Sequence, residues 1–256
     1  MNKKIVLLCS DFFSTTVVYN YVNAEFPIDT VIMEEPMRGM ALAKRRFKRL
    51  GFFRTSGQIL FSLFMMPLVR MGSKKRLKEI HAQYPFDETP IPGEKIKRVV
   101  SANDASTIGL IKELKPDIII VNGTRILSKK LLDSTSAVFI NKHTGITPQY
   151  RGVHGGYWAM VKNDPQRFGV TVHLVDKGVD TGAVLYQSAV TPTRKDNFFT
   201  YPYIQFGEGI PLMKRAVEDA IHDRLKPVVH STEKGAVYYH PTIWQYLYHR
   251  LFRNIK

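Results

Sequence analysis

Two uninterrupted apolar runs constrain the fold of this chain most: Ile5-Val6-Leu7-Leu8-Cys9 and Ile118-Ile119-Ile120-Val121. Each run has the length of a strand, and neither contains a polar residue that would mark a solvent-facing side. Strands of this kind are buried on both faces, as in the parallel sheets of α/β proteins. We therefore expect a central, mostly parallel sheet that is covered by helices on both sides.

Strand and helix patterns alternate along the rest of the chain. The predicted strands are Lys4–Cys9, Ile28–Met33, Arg98–Ser101, Ile118–Val121, Ala137–Ile140, Val170–Val175 and Ala183–Val190. The predicted helices are Ser14–Asn23, Asp104–Leu114 and Gly155–Lys162. This alternation predicts a right-handed, Rossmann-like α/β sheet. Ligands of such sheets bind outside the carboxyl ends of the strands, where Asn141 directly follows a predicted strand.

Two segments interrupt this alternation. We expect one catalytic domain over residues 1–190, with a basic helical insertion at 41–78, and a helical C-terminal extension over 191–256. The insertion reads as two or three helices that are split near Gly51 and Pro67. The extension ends in an amphipathic helix, whose Trp244–Phe252 stripe we expect to serve packing or homodimerisation.

Positive charge is concentrated in the insertion. The chain has a net charge of +15, and twelve Lys or Arg residues but no Asp or Glu lie between Met37 and Lys78. Such a concentration predicts an anionic partner. The cluster Lys44–Arg49 is read as a solvated helix face, as a site for an anionic membrane surface, or as a site for a nucleotide pyrophosphate. Nucleic acid is disfavoured as a partner, since no RNA-binding motif accompanies the charge.

The sequence also favours a cytoplasmic protein. Cys9 is the only cysteine, so an intramolecular disulfide is excluded and a reducing compartment fits. The N-terminus leads directly into a predicted strand without a signal-peptide cleavage site. The longest apolar stretch, Ile59 to Val69, is expected to be too short to span a bilayer. We therefore expect a cytoplasmic location, at most peripheral to the inner face of the membrane.

Three polar side chains between Asn141 and Gln187 suit acyl transfer without a covalent enzyme intermediate. The amide of Asn141 can donate an N–H to a developing oxyanion, and His143 can add a second donor or accept a proton. Asp180 can orient that histidine and shuttle protons. Taken singly, each residue is equally consistent with strand-end capping or a satisfied buried histidine. The flanking spacing makes the signal specific.

In order and spacing, the region from about Lys115 to Gln187 resembles the formyltetrahydrofolate-dependent formyltransferases. That family includes glycinamide ribonucleotide, methionyl-tRNA and sugar N-formyltransferases. The resemblance is carried by Asn122-Gly123-Thr124-Arg125-Ile126-Leu127-Ser128, by Asn141-Lys142-His143, by the loop that ends in Tyr150-Arg151-Gly152, and by Gly169-Val170-Thr171-Val172-His173 followed by Asp180-Thr181-Gly182.

The resemblance implies roles for these residues. Asn141 and His143 would polarise the formyl oxygen of 10-formyltetrahydrofolate, while Asp180 would hold His143 and relay a proton from the attacking amine. The carboxyl group of Asp180 would have a raised pKa in a folate-covered crevice. The folate itself would contact Arg125, Ile126, Leu127, Asp176 and Val179. The resemblance implies no metal.

Three further residues are candidates for contacts with the acceptor substrate. Arg151 is expected to pair with an anionic group of a substrate or to support its loop. His154 is expected to contact the substrate or to pack at a helix start. Asn103 is expected to contact a ligand or to cap a helix. His173 is read as a packed core histidine.

Departures from the family pattern narrow the acceptor. The chain lacks a glycine-rich phosphate loop at Ser10–Thr16, and Ser188–Lys256 is too short for the barrel domain of methionyl-tRNA formyltransferases. By elimination we expect a small amine acceptor, most simply a nucleotide-linked amino sugar. Two rival functions remain. One is a hydrolase that passes the formyl group to water, and the other is a non-catalytic protein whose insertion binds membrane or RNA.

Overall fold

The computed structural model of the chain describes residues 3–36, 39–84, 86–229 and 235–256. The strands are β1 (Ile5–Ser10), β2 (Thr30–Glu34), β3 (Ile96–Val99), β4 (Ile118–Asn122), β5 (Val138–His143), β6 (Tyr150–Gly152), β7 (Gly169–Leu174), β8 (Val184–Ala189) and β9 (Ala236–Tyr238). The helices are α1 (Phe13–Asn23), α2 (Gly39–Leu50), α3 (Phe52–Leu60), α4 (Met66–Gly72), α5 (Lys74–Gln83), α6 (Ala105–Leu114), α7 (Lys129–Leu132), α8 (Gly155–Val161), α9 (Tyr201–Ile221) and α10 (Ile243–Phe252).

Seven strands of the described ranges form one sheet in the order β3-β2-β1-β4-β5-β7-β8. The first five run parallel, and β7 and β8 are added antiparallel at one edge. This confirms the predicted Rossmann-like, mostly parallel α/β architecture. Strands β1 and β4 lie at the centre and are buried on both faces, which explains their uninterrupted apolar sequences. Strands β6 and β9 pair in a separate parallel ribbon.

The two faces of the sheet build two cores. Successive side chains of a strand point to opposite faces. On β1, Ile5 and Leu7 join the core that also contains α1 and α9. Val6 and Leu8 join the core on the other face, together with side chains of α6. The sheet is thus held between helices, and its carboxyl edge is left free for a site.

Helix α9 belongs to the body of the fold, although it lies in the predicted C-terminal extension. It packs against β5, β7 and β8, and its Phe206, Ile210 and Met213 are part of the main core. The proposed boundary at residue 190 therefore does not mark a break in packing. Of the extension, α10 packs instead on the inserted helices, and residues 230–234 lie outside the described ranges.

Strand β5 is longer than the sequence pattern indicates. The predicted end at Ile140 is wrong, because β7 pairs antiparallel with β5 and extends the hydrogen-bond ladder to His143. Asn141 lies directly opposite His173 in this register. The Asn-x-His motif is therefore the last part of a strand and not the start of a loop.

The insertion forms helices α2 to α5, and Gly51 separates the first two as predicted. Its φ of 77° ends one helix and begins the next, a conformation that glycine adopts easily. The predicted break at Pro67 is wrong, because α3 continues through a π-helical turn (Phe61–Met65) into α4. The wider π turn comes just before Pro67, whose ring and missing N–H would disrupt a regular α-helix.

The continuous helix Phe52–Gly72 also overturns the expectation about membrane-spanning length. It has 21 residues, and its most apolar 18-residue window has a mean hydropathy of 1.3, so it is long and apolar enough to cross a bilayer by length and composition alone. It is the one such helix in the described ranges, and 22% of its most apolar window is buried. The stretch Ile59–Val69 understates this length, because the helix continues at both ends.

Gly57 allows a close approach between α3 and α10, and this contact can be tested. A Cβ at position 57 would lie 2.3 Å from the ring of Trp244 and 2.7 Å from Cβ of Thr242. We expect Gly57→Ala to lower the free energy of unfolding by about 1–3 kcal/mol, because overpacking outweighs the better helix propensity of alanine. Gly72→Ala is the matched control, since nothing lies within 4 Å of its added Cβ. It should be neutral or stabilise by up to about 1 kcal/mol. Urea unfolding of both variants measures the difference, and equal effects would contradict the proposed packing.

Candidate active site

A cavity of about 510 Å³ opens at the carboxyl edge of the sheet, beside the ends of β4 and β5. This is where the topology predicts a ligand site. Its wall is formed by the loop after β4, the end of β5, the turn between β7 and β8, the β6–β9 ribbon and one residue of α2. Of the predicted site residues, the wall includes Arg125, Ile126, Leu127, Asn141, His143, Asp176, Val179 and Asp180.

Asn141, His143 and Asp180 meet in this cavity. Asn141 and His143 are two residues apart on β5, so their side chains leave the same face of the strand. Asp180 comes from the turn between β7 and β8, with a φ of 50°. Its Oδ2 lies 3.5 Å from Nδ1 of His143 and accepts a hydrogen bond of 2.8 Å from the backbone N–H of Gly152. The structure therefore gathers an amide, an imidazole and a carboxylate around one space.

His173 is buried, as expected of a core histidine, and it also joins this group. Its Nε2 lies 3.1 Å from Nδ2 of Asn141 and 3.6 Å from Oδ1 of Asp180. Its Nδ1 donates to the carbonyl of Leu174 at 2.7 Å. The local sequence marks His173 only as part of a strand. Its position beside Asn141 follows from the antiparallel register of β7 on β5, which the sequence pattern does not specify.

Hydrogen bonding fixes which nitrogen of His143 can exchange a proton. Nε2 lies 2.7 Å from the backbone carbonyl of Tyr150, and a carbonyl can only accept. Nε2 therefore carries a hydrogen in the neutral ring. A further proton must go to Nδ1, which faces Asp180. The two side chains thus form a unit that can hold one proton between them.

The pKa of Asp180 is shifted in the direction opposite to the one expected. Burial raises it, but the neighbouring His143, the imidazole of His173 at 3.6 Å and the N–H of Gly152 outweigh burial and lower the pKa to about 2. The prediction of a raised pKa is wrong because it considered burial and not these partners. Burial also lowers the pKa of His143, and the charge of Asp180 opposes that shift.

The loop after β4 is held by a buried carboxylate. Glu34 accepts a hydrogen bond of 2.6 Å from the backbone N–H of Arg125 and one of 3.1 Å from its guanidinium. The guanidinium also donates to the carbonyls of Val100 and Glu35. The N–H of Arg125 is therefore not free for a ligand. Ile126, which is 45% exposed, presents its side chain at the cavity.

Asn103 does not cap α6, and its contact with a ligand stays a prediction. Its Nδ2 donates to the carbonyl of Ile126 at 3.0 Å, and its Oδ1 accepts from the N–H of Ser128 at 2.7 Å. The N-cap position of α6 is occupied by Asp104. Asn103 is not part of the described cavity wall, so it acts on the site through the loop that it holds.

Arg151 and His154 also lie outside the described cavity wall. The guanidinium of Arg151 donates to the carbonyl of Gly235 at 2.6 Å, which ties two loops together. The ring of His154 lies 4.3 Å from that of Phe198 at a tilt of 38°, and its Nε2 lies 3.2 Å from Nε2 of His240. Burial lowers the pKa of His154 well below its usual value. These contacts agree with the alternative roles of supporting a loop and packing at a helix start, and the substrate contacts of both residues stay predictions.

The wall also includes residues that the sequence-based site does not contain, among them Arg49, Tyr238 and Tyr239. Arg49 comes from the insertion, and its guanidinium lies 5.3 Å from the centre of the Tyr239 ring. A smaller pocket of about 200 Å³ shares Arg49 and Tyr239 with the main cavity and is also lined by Arg46 and His240. We call this pocket the basic annex. The concentration of positive charge was the sequence signal for it, but nothing in the local pattern relates the insertion to the site.

Comparison with known proteins identifies the family. A sequence profile described as Formyl transferase matches residues 72–201, half of the chain. The chain belongs to the formyl transferase family. The matched range contains the loop after β4, the Asn-x-His motif and the turn that carries Asp180, so the family assignment rests on the region that forms the cavity.

Individual relatives of this formyl transferase family member agree with that assignment. The methionyl-tRNA formyltransferase of Clostridium acetobutylicum is 31% identical over 157 residues, which are 61% of this chain and 49% of that protein. The chain thus spans about half the length of this relative. A sugar N-formyltransferase from Shewanella sp FDAARGOS_354 has a TM-score of 0.57 at 16% identity, covering 92% of this chain and 76% of its own.

A second solved structure is the N-formyltransferase from Helicobacter canadensis in complex with folinic acid and dTDP-3-aminofucose. It has a TM-score of 0.56 at 15% identity and covers 93% of this chain and 71% of its own. At these low identities, the similarity to the two structures shows that this formyl transferase family member has the same fold as they have.

The coupling between His143 and Asp180 predicts a measurable shift. Because the charge of Asp180 favours the protonated ring, Asp180→Asn should lower the pKa of His143 further. Asparagine tolerates the positive φ at this position, so the backbone need not move. NMR titration of the His143 ring in both proteins measures the shift. Asp133→Asn, an exposed carboxylate on the surface, is the control and should leave the titration unchanged. An unchanged or raised His143 pKa in Asp180→Asn would contradict the coupling.

Proposed function

We propose that this protein transfers a formyl group from 10-formyltetrahydrofolate to a primary amine, and that the acceptor is a nucleotide-linked amino sugar. The observation that carries the proposal is the convergence of Asn141, His143 and Asp180 on one cavity. A donor amide, an imidazole and a carboxylate supply what acyl transfer to an amine requires. The family assignment supports the same chemistry.

The cavity suits a folate. Ile126, Leu127 and Val179 present apolar side chains to it, against which a planar pterin can pack. Asp176 shapes the opposite turn, where its Oδ1 accepts hydrogen bonds from the N–H of Gly178 and the hydroxyl of Thr181. Hydrogen bonds within the protein therefore hold this turn in place, and its shape does not depend on a ligand. Bound there, the folate would supply an electrophilic formyl carbon.

Asn141 is the donor for the formyl oxygen in this proposal. Its Nδ2 carries two hydrogens, and one is directed at Nε2 of His173. The second remains for an oxygen in the cavity. Holding the amide by His173 keeps that donor oriented before the reaction, which is the condition under which an oxyanion donor is most effective.

His143 holds the transferred proton. The acceptor amine must lose a proton as its nitrogen bonds to the formyl carbon, and the folate nitrogen must gain one as its bond to that carbon breaks. A carboxylate with a pKa of about 2 retains a proton poorly at neutral pH. We therefore assign the transient proton to Nδ1 of His143, with Asp180 stabilising the charged ring from 3.5 Å.

The basic annex supports an acceptor that carries phosphate groups. Arg46 and Arg49 lie beside the cavity, and guanidinium groups bind phosphate oxygens in a bidentate manner. Tyr239, against which Arg49 rests, offers a ring surface next to these charges. A nucleotide diphosphate sugar matches this arrangement of two cations and an aromatic ring. The Helicobacter canadensis complex contains an acceptor of this chemical class.

Methionyl-tRNA is the second candidate acceptor, because the sequence relatives include methionyl-tRNA formyltransferases. The two candidates are distinguished by direct assay with 10-formyltetrahydrofolate and either a nucleotide-linked amino sugar or methionyl-tRNA. Formate release without any amine would instead identify a hydrolase.

The catalytic assignment predicts the effect of Asn141→Ala. Loss of the oxyanion donor should reduce kcat by about 10²–10³ with little change in KM for the folate. Asn20→Ala is the matched control, because Asn20 donates to the carbonyls of Asp87 and Thr89 and does not line the cavity; it should retain kcat. Steady-state formylation kinetics measure both. A kcat for Asn141→Ala within a few-fold of the native value would contradict the assignment of Asn141 as the oxyanion donor.

The acceptor assignment predicts a different kinetic effect for Arg49→Ala. Loss of a charged hydrogen-bond donor should raise KM for the nucleotide-linked amino sugar by roughly tenfold or more, while KM for the folate is retained. Arg98→Ala removes an exposed arginine on β3 and serves as the control. If KM for the amino sugar is the same in both variants, the basic annex does not bind the acceptor.

A further inference from the structure

The outward face of the long helix Phe52–Gly72 is apolar, although its inner face already packs Phe61 and Met65 on the protein. Its buried side chains include the polar Thr55 and Gln58, which are 0% and 2% exposed. Its outward face is apolar, with Phe53 81%, Leu63 63% and Leu68 55% exposed. A helix that packs on a soluble domain normally buries its apolar side and exposes its polar side.

Specific contacts hold the helix in this orientation. Nε2 of Gln58 donates to the carbonyl of His240 at 2.8 Å. Phe61 is fully buried, and its ring lies 5.0 Å from Phe198 and 5.1 Å from Tyr246. Rotation of the helix would break these contacts. The apolar face is therefore directed away from the protein by the packing of the opposite face.

Helix α10 extends the same surface. The ring of Trp244 lies directly above Gly57 of α3, so the apolar stripe of α10 begins beside the long helix. That stripe continues at helical spacing through Tyr248 and Leu251, which are 55% and 72% exposed. Twenty large hydrophobic side chains are exposed in the described ranges; nine of them lie between residues 40 and 71, and five lie on α10. Such concentration marks an interaction surface.

The charge around this surface favours an anionic occupant. Lys74, Lys75 and Lys78 are exposed at the end of the long helix, and no acidic residue occurs between positions 37 and 78. A groove of about 520 Å³ on the surface combines Met66 and Met71 with the cations Arg70 and Lys74. A second copy of the chain would bring a surface of the same positive charge, which opposes self-association.

The contacts of the helix also decide how it would meet a bilayer. A spanning helix exposes its whole circumference to lipid, but Gln58 and Phe61 are bound to the protein on one side. An amphipathic helix that lies in the interface keeps one face on the protein and inserts the other among the lipids. Trp244 and Tyr248 are residue types that favour the same interfacial depth.

We infer that the outward faces of Phe52–Gly72 and α10 form a docking surface for an anionic lipid bilayer, on which the protein lies without spanning it. The apolar side chains enter the interface, and the lysines at the end of the helix contact lipid phosphates. This inference is independent of the proposed chemistry, because it uses no residue of the cavity.

Vesicle flotation of the full chain tests the inference. We expect flotation with phosphatidylcholine vesicles that contain about 30% phosphatidylglycerol, little flotation with phosphatidylcholine alone, and a loss of binding at about 0.5 M salt. The combined variant Leu63→Gln, Phe64→Gln and Leu68→Gln should reduce the partition coefficient roughly tenfold or more. Val100→Gln with Val229→Gln changes exposed apolar residues elsewhere and should bind as the native chain does.

Two triple-lysine variants distinguish attraction of lipid to this surface from attraction to the overall positive charge of the protein. Lys74→Gln, Lys75→Gln and Lys78→Gln together should weaken binding roughly tenfold or more. Lys97→Gln, Lys112→Gln and Lys130→Gln remove the same net charge from exposed positions elsewhere and should weaken it far less. Circular dichroism and thermal unfolding establish that each variant is folded.

Several outcomes would overturn the inference. Equal loss of binding in the two lysine variants would show non-specific attraction, and absence of binding to anionic vesicles would exclude the bilayer. Retention in the membrane after carbonate extraction would show that the helix spans. The native chain could instead form a dimer, and the Leu63, Phe64 and Leu68 variant a monomer, with neither binding vesicles. That result would assign the surface to self-association.

Discussion

The contacts of Asp180 are the interaction on which the candidate site depends. This carboxylate accepts a hydrogen bond from the N–H of Gly152, and it lies 3.5 Å from His143 and 3.6 Å from His173. It thus connects the β7–β8 turn with the ends of β5, β6 and β7. A buried charge is unfavourable unless partners compensate for the lost solvation. Here two imidazoles and a backbone N–H do so, and the pKa of the carboxyl group falls to about 2. The carbonyl of Tyr150 sets the tautomer of His143, and Asp180 faces the nitrogen that takes the further proton.

A second buried carboxylate gives the opposite wall of the cavity its shape. Glu34, at the end of β2, binds the N–H groups of Arg125 and Ala102 and the Arg125 guanidinium. Asn103 then fixes the rest of the loop through Ile126 and Ser128. Both walls are therefore held by hydrogen bonds within the protein. A site whose groups are positioned in this way needs little rearrangement to bind its ligands, which favours both affinity and rate.

The basic insertion relates the site to the outer surface of the protein. Its helix α2 supplies Arg49 to the cavity, and its long helix presents an apolar face to the outside. The region matched by the family profile begins at residue 72, so nearly all of the insertion lies outside the matched range. The family pattern therefore gives no expectation for the arginine that the insertion supplies to the cavity or for the outward face of its long helix. Both follow from the packing of the insertion against α10 and from its contacts with Tyr239 and His240, which follow β9.

The sequence by itself determined the parallel sheet, through its buried apolar runs, and the carboxyl edge as the place of the site. Its motif spacing also selected Asn141, His143 and Asp180, which meet in the structure. Tertiary structure decided the place of His173, the lowered pKa of Asp180 and the direction of the apolar face of Phe52–Gly72. Periodicity reports only the preference of neighbouring residues for a helix or a strand. Strand register, the partners of a buried charge and the covered side of a helix depend on contacts between residues that are distant in the chain.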